Sequence, residues 1–515
     1  MKKIIREWKY TIIFGLLIFV LGLVLRLYHL NLLPIFADEA IYIRWAQVMR
    51  AESTLRFLPL SDGKQPLFMW MVIPFLKIIS DPLVAGRAVS VTCGLASLVG
   101  IFLLINLLFK SQKAALLASL LYALSPFAFF FERMALADAM LSAFGIWTLL
   151  LAVAAAKTLR LDYAMLAGFA LGGALLTKSP AIFFVILLPI VFIFVKKPIH
   201  LIKLAGLLAV TYLIGYGMYN ILRLGPNFHL IGSRNADYIF PLSHLWTNPK
   251  DPFIFLIDRS FEWISALGPW PILVLAGLGI VFAYKKYWKE VLILVVWFLF
   301  PILVQSEFAR VFTARYIFFL IPPLYILAGI SVLIKRPFRK FIYGLVVLFV
   351  IFSLKFNWLL ATNPEKANLP RSERSGYLEE WTAGTGIAEV AGYLKAESLK
   401  LKASEKIIVG TEGYFGTLPD GLQIYMEGVK GVTVIGVGID FGEVPQSLLN
   451  AKKAGDKVYF AANTSRLRFK KSFEDLGLKV IAAYPKAFRP EGIREYVQHG
   501  PRDTFYLFEV TEKAI

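Results

Sequence analysis

Apolar runs of about twenty residues, each long enough to cross a bilayer as a helix, recur through the first seven-tenths of the chain. They lie near residues 11–28, 83–109, 114–131, 139–156, 163–176, 181–195, 204–222, 269–284, 291–305, 316–333 and 341–358. This pattern predicts about eleven spans. Lys2, Lys3, Arg6 and Lys9 precede the first, and every second loop after that carries at least two basic residues: Lys110 and Lys113, Lys157 and Arg160, Lys196, Lys197 and Lys203, Lys285, Lys286 and Lys289, and Lys335, Arg336, Arg339 and Lys340. Basic residues mark cytoplasmic loops, so the N-terminus is expected in the cytoplasm and the alternate loops outside. Residues 66–77 are apolar but short, interrupted by Pro74 and closed by Lys77. They are expected to form an interfacial or re-entrant helix, because counting them as a span would invert every later loop.

Two further patterns interrupt the spans. From Asp38 to Arg50, Ile41, Trp45, Val48 and Met49 share one helical face while Arg44, Gln47 and Arg50 share the other. This predicts an amphipathic helix in the membrane interface with its aromatic side in lipid. After residue 362 the composition becomes mixed, with short apolar strands at 406–410, 432–437, 457–462, 480–483 and 505–510 and helical patterns at 387–399 and 445–454. Such alternation predicts a small α/β domain. The expected organisation is a membrane domain over 1–360, with outer loops at 29–82 and 223–268, and an extracytoplasmic α/β domain over 361–515.

Composition agrees with this reading. The 515 residues are 58% hydrophobic and only 17% charged, which suits a polytopic protein of the plasma membrane and not a large soluble core. The net charge of +20 lies in short loops between apolar runs, where it sets orientation, so no nucleic-acid partner is expected. The single cysteine, Cys93, excludes an intrachain disulfide; it lies in an apolar run and is expected to pack against a neighbouring helix. Met1-Lys-Lys-Ile-Ile-Arg before an apolar run has the form of a signal peptide, but no small-residue cleavage site follows Leu25, so the first span is read as uncleaved.

The predicted topology gathers Asp38, Glu39, Lys64, Arg133, Asp138, Lys178, Arg310 and Arg315 at the outer ends of different spans. Charged groups there are costly and tend to mark function, although a lone cation can simply snorkel to the headgroups. Asp38 reads equally well as a helix N-cap and as a general base. Carboxylates beside several cations suit chemistry with a phosphate leaving group, in which the cations hold the phosphate and a carboxylate takes the proton of an attacking hydroxyl.

Asp38-Glu39 after the first span, Lys64-Gln65-Pro66-Leu67 before an aromatic helix, Arg87, Arg133 with Asp138, Lys178-Ser179-Pro180 and Arg315-Tyr316 through Pro322-Pro323 together resemble the GT-C superfold glycosyltransferases that use polyprenyl-phosphate sugars. Protein O-mannosyltransferases and the aminoarabinose transferases of lipid A are the relatives they are most similar to. The resemblance spans about residues 1–358. It implies Asp38 as general base beside Glu39, a donor phosphate bound by Lys64, Arg133, Arg315 and Lys178, and Glu39, Asp138, Tyr42 and Arg310 orienting the acceptor or the base. It also implies a polyprenyl-phosphate-linked sugar donor, contact with membrane lipids and a protein, lipid or glycan acceptor.

Two departures from the family pattern stand out, of which the first is expected to be tolerated and the second bears on the acceptor. The family's Lys-Pro-Pro stands here as Lys64-Gln65-Pro66, and the Trp-Trp-Asp motif of oligosaccharyltransferases is absent. Transfer of a preassembled oligosaccharide to asparagine is therefore not expected, and the acceptor stays open. The expected reaction moves one sugar to a hydroxyl or similar group with inversion, since retention requires a second, closely placed carboxylate as nucleophile, a part for which Glu39 is the alternative. The rival reading is a lipid or solute transporter whose outer-face charges line a pathway, but no internal repeat or paired broken helix supports it.

Several motifs carry less. Gly172 to Ser179 imitates a P-loop inside an apolar run, with Thr177 in place of the required glycine. Gly410 to Gly416 is expected to be a turn. Asn463-Thr464-Ser465 matches a glycosylation acceptor pattern, and Arg371 to Tyr377 is read as an amphipathic linker in preference to a flap. The five histidines lack metal-ligand spacing. No cofactor is required by the sequence, and a divalent metal has no support in it.

Overall fold

The computed structural model describes residues 2–334, 338–402 and 405–515, with side chains from residue 8 onward. Lys335 and Arg336, expected in an inner loop, and the side chains of Lys2, Lys3 and Arg6 lie outside the described residues.

Every predicted span falls on helix. Seven described segments are long and apolar enough to cross a membrane: Trp8–Leu27, Pro82–Phe109, Ala137–Thr158, Pro198–Leu224, Pro271–Phe308, Ala314–Leu333 and Arg339–Thr362. The chain is a multi-pass membrane protein. The difference from eleven arises where local chemistry shortens or joins helices. Pro271–Phe308 contains two of the predicted spans, joined at Tyr287, whose φ of −127° and ψ of 36° break the helix. The run 114–131 is divided at Ser125, whose hydroxyl accepts from Ala128 N–H and starts a new helix at Pro126. Around Pro180 and Pro189 the run 181–195 tightens into 3₁₀ turns on either side of Ile182–Leu187. The interfacial segment keeps only nine helical residues, Leu67–Phe75. At 1.5 Å per residue they rise ~14 Å, half the thickness of a hydrocarbon core.

The chain forms two compact units. One comprises residues 1–30, 52–71 and 87–370; the other comprises 31–51, 72–86 and 371–515. The sequence reading placed 31–51 and 72–86 in the membrane domain and the boundary at 360/361. The second unit takes in the first of these segments through main-chain pairing, β1 (Ile35–Phe36) running antiparallel to β2 (Ala383–Gly384), and Arg50 in turn donates to Leu76 O at 3.1 Å.

The rest of this unit is a five-stranded sheet of β3 (Ile407–Glu412), β4 (Val432–Gly438), β5 (Lys457–Asn463), β6 (Leu478–Phe488) and β7 (Arg502–Val510). The order is β4-β3-β5-β7-β6, with β3 parallel to both neighbours and β7 antiparallel to both of its own. Helices Asp420–Met426 and Gln446–Lys453 make the crossovers, as parallel pairing requires. β5 is apolar and buried over Val458–Ala462, the signature of a strand covered on both faces. Phe441, Leu448, Phe460, Leu478 and Phe508 form the core.

At the carboxyl end of β3, Gly413 (φ +73°) and Gly416 (φ +119°) turn the chain, as expected for that stretch. Asn463 is 2% exposed, and its amide donates to Glu412 Oε1 at 2.7 Å while its backbone N–H donates to Oε2 at 2.6 Å. The residue is therefore a partner of a buried carboxylate, which takes it out of reach of glycosylation. Burial pushes the Glu412 carboxyl above its usual range, and the two Asn463 donors pull it back.

Removing the Asn463 amide raises the folded-state value further above that of the unfolded chain. The stability that Glu412 contributes is then fully present below its unfolded pKa and lost as pH rises through the folded one. Asn463→Ala is expected to cost about 1–3 kcal/mol, with a larger loss at pH 8 than at pH 5. Thermal unfolding of the full chain at both pH values measures this, and an equal loss at both would contradict it.

Candidate active site

In the second unit the site is built around the helix Ala37–Ala51, which has Asp38 and Glu39 in its first turn. The residue before the helix, Phe36, has no side chain that can accept from the first-turn N–H groups. Glu39 turns back instead, and its Oε2 accepts from Phe36 N–H at 3.0 Å, the glutamate half of a capping box. Glu39 is fully buried. Glu39 thus caps the helix, and Asp38 is half-buried at the second helical position.

The face expected in lipid lies inside protein. Ile41, Trp45 and Met49 are each at most 6% exposed and Val48 is half-buried. Tyr42, expected near the acceptor, is 7% exposed and stacks on Trp45, with ring centroids 6.3 Å apart. The polar face is also occupied: Arg44 donates to Gln423 Oε1 at 3.1 Å, Gln47 to Ile424 O at 2.9 Å and Arg50 to Glu427 at 2.7 Å. Arg371 to Tyr377, read as a linker, is packed as well. Arg371 and Arg374 pair with buried Glu379, and Tyr377 stacks on Phe36 at 4.3 Å.

In the first unit, Lys178 follows the helix Leu161–Thr177 in extended backbone and donates to Asp138 Oδ1 at 2.6 Å. Residues 172–177, which imitate a phosphate loop, are helical. Lys178 Nζ also lies 4.6 Å from the centre of the Tyr316 ring, and Arg315 lies 5.1 Å from the same ring. Next to Lys178, Ser179 Oγ accepts from Gln65 at 2.9 Å, in the stretch that bears Lys64, and Lys64 pairs with Asp62 at 3.3 Å. Lys178, Asp138 and Arg315 therefore share one cluster, with Lys64 adjoining it in sequence. Tyr316, which links the two cations, was not singled out in the sequence; its position beside Arg315 was the only signal.

Arg133 has a different occupation. It is 3% exposed and donates to Tyr28 O at 2.7 Å and His29 O at 2.8 Å, while buried Arg87 donates to Leu30 O at 2.8 Å. Three consecutive carbonyls past the end of the first helix are satisfied by two guanidiniums, a C-terminal cap. Both of these Arg133 bonds come from Nη2, which gives the residue a structural part at the end of the first helix.

Nearby, Arg26 pairs with Glu132, which also accepts from Tyr122 at 2.6 Å, all fully buried. Gly94 permits that approach, since a Cβ there would lie 2.3 Å from the Glu132 carboxylate. Sequence reasoning missed this triad, because a charge inside an apolar run does not name its partner. Arg310 donates to Ala236 O at 3.2 Å and covers Phe240. It fastens the outer loop to the end of the helix Pro271–Phe308, and no described contact brings it to the Lys178 cluster.

ArnT from Cupriavidus metallidurans in the apo state superposes over 99% of both chains with a TM-score of 0.58 at 15% identity. The chain has the GT-C fold. ArnT of the same organism bound to undecaprenyl phosphate matches this GT-C chain over 98% of both chains, at a TM-score of 0.55 and 16% identity. The model of the dolichyl-phosphate-mannose-protein mannosyltransferase family matches residues 63–216. That stretch holds Lys64, Asp138 and Lys178 and ends before Arg315. No curated protein matches the sequence.

Proposed function

We propose that this GT-C protein is a glycosyltransferase that moves one sugar from a polyprenyl phosphate to an acceptor hydroxyl on a protein, lipid or glycan. In the reaction, the bond between the sugar's anomeric carbon and the phosphate oxygen breaks as the acceptor oxygen bonds to that carbon. The acceptor's proton goes to Asp38, and polyprenyl phosphate leaves. Lys178 and Arg315, with Lys64, neutralise the departing phosphate, and Asp138 holds Lys178 in place. Glu39 fixes the head of the helix that presents Asp38. The reaction takes place on the extracytoplasmic side, as the distribution of basic loops implies.

The observation that carries this reading is the division of labour within the Asp38-Glu39 pair. Glu39 turns back to accept from Phe36 N–H at the head of the helix, while Asp38 stands half-buried in the same first turn. The Lys178–Asp138 pair beside Arg315 and Tyr316 supports it with a cation cluster suited to phosphate, and the bound polyprenyl phosphate of the second ArnT structure is the leaving group proposed here.

One base and one displacement give an inverted product. The anomeric configuration of the product, read by NMR after transfer from a donor of known configuration, is expected to be opposite to that of the donor. A retained configuration would require a carboxylate nucleophile and would remove Asp38 from its proposed role.

A further inference from the structure

Glu39 caps the helix, but capping alone does not fix where Asp38 points. That depends on the backbone entering the first turn, residues 35–37, and this backbone is held by the second unit's own α/β domain. β1 pairs with β2 in the register Ile35 to Gly384 and Phe36 to Ala383. The register continues past the strands, with Ala37 N–H donating to Thr382 O at 3.1 Å.

The segment carrying β2 is itself anchored. Glu380 receives two bonds from the Arg489 guanidinium, at 2.7 and 3.0 Å, and its carbonyl accepts from Lys486 at 2.9 Å. Both cations sit at the end of β6 and are buried. Arg489 also donates to Gly500 O at 3.1 Å, and Lys486 pairs with Asp503 of β7 at 3.5 Å. A continuous path of polar bonds therefore runs from the antiparallel half of the sheet, through Glu380 and Thr382, to Ala37, the residue before Asp38. The other end of the helix is fastened independently: Gln423, which accepts from Arg44, donates to Val434 O of β4 at 3.1 Å.

This arrangement is stiffer than docking a surface helix requires. A bidentate arginine–carboxylate pair fixes orientation as well as distance, and a buried lysine adds a third bond to the same residue. Burial pushes Lys486 below its usual range, and Asp503 opposes that shift. A general base must hold its geometry closely, since a 1 Å misplacement can cost about 10²-fold in rate.

We propose that the C-terminal α/β domain is the positioning device for Asp38, with Glu380 and Arg489 as positioning residues acting through the β1–β2 pair. This rests on the reading of Asp38 as the base. It gives the domain a part in the chemical step, apart from any part in recognising the acceptor.

Two variants of the full chain in detergent test it. In Glu380→Gln, one carboxylate oxygen that accepts from Arg489 becomes a donor. In Tyr377→Leu, the ring that stacks on Phe36 is lost. Hydrogen exchange over residues 35–40 is expected to rise at least tenfold in the variants, while the strands β3 and β5 keep their protection. The turnover number for transfer is expected to fall about 10- to 100-fold, with the donor KM within about twofold of wild type.

If exchange at 35–40 is unchanged in a folded variant, or rises while turnover stays at the wild-type rate, the positioning role is refuted. Should one variant fail to fold, the other decides by the same two readings. Asp38→Asn run alongside separates the two hypotheses. Wild-type transfer by that variant would remove the base and with it the positioning claim, whereas loss of transfer there with full activity in both other variants would remove the positioning role alone.

Discussion

Replacing Lys178 with methionine is expected to lower kcat/KM for a polyprenyl-phosphate sugar by about 10²–10³-fold, the usual cost of removing one donor that stabilises developing charge. The substitution has two consequences that must be separated. It removes a cation from the cluster with Arg315 and Tyr316, and it leaves the Asp138 carboxylate, 4% exposed, without its 2.6 Å partner. An unpaired buried carboxylate costs about 3 kcal/mol, so Lys178→Met also lowers the unfolding midpoint. Adding Asp138→Asn neutralises that carboxylate. The double variant is expected to recover most of the lost stability and none of the lost transfer. Recovery of both would make the pair structural and leave the phosphate to other residues.

Asp38→Asn is expected to lower transfer by about 10³–10⁴-fold, toward the upper end of what a general base contributes. The protein should remain folded, because Glu39 caps the head of the helix and asparagine keeps the shape of aspartate. Glu39→Gln should behave in the opposite way. The amide keeps one oxygen for Phe36 N–H, so the expected result is about 1 kcal/mol of lost stability and less than a tenfold loss of transfer. The pair is adjacent in sequence and alike in chemistry, so this contrast is a sharp one. Equal losses at both positions would mean that the two carboxylates act as one unit.

Much of this arrangement was legible in the chain. Helical spans follow from apolar length, and the strands of the α/β domain follow from short apolar runs between turns, because both depend on local composition. What was not legible depends on partners distant in sequence. The helix from Ala37 to Ala51 has an amphipathic pattern that fits lipid and protein equally well. Bonds such as Arg44–Gln423 and Gln47–Ile424 show that its partner lies nearly four hundred residues away. For Arg133, a cation at a span end does not name its partners, and its bonds to Tyr28 O and His29 O follow from a chain path about a hundred residues away. Asp38 was legible as a special residue, but its place inside the first turn was not, because the helix begins at Ala37, after a phenylalanine.

The most direct measurement is release of free polyprenyl phosphate from a radiolabelled polyprenyl-phosphate sugar by purified protein in proteoliposomes, for wild type and Asp38→Asn side by side. The predicted result is release coupled one-to-one with sugar appearing on an acceptor in wild type, and near-background release in the variant with its fold intact. Release at the same rate from both proteins would contradict the account, as would wild-type protein that carries the intact donor across the bilayer without cleaving it.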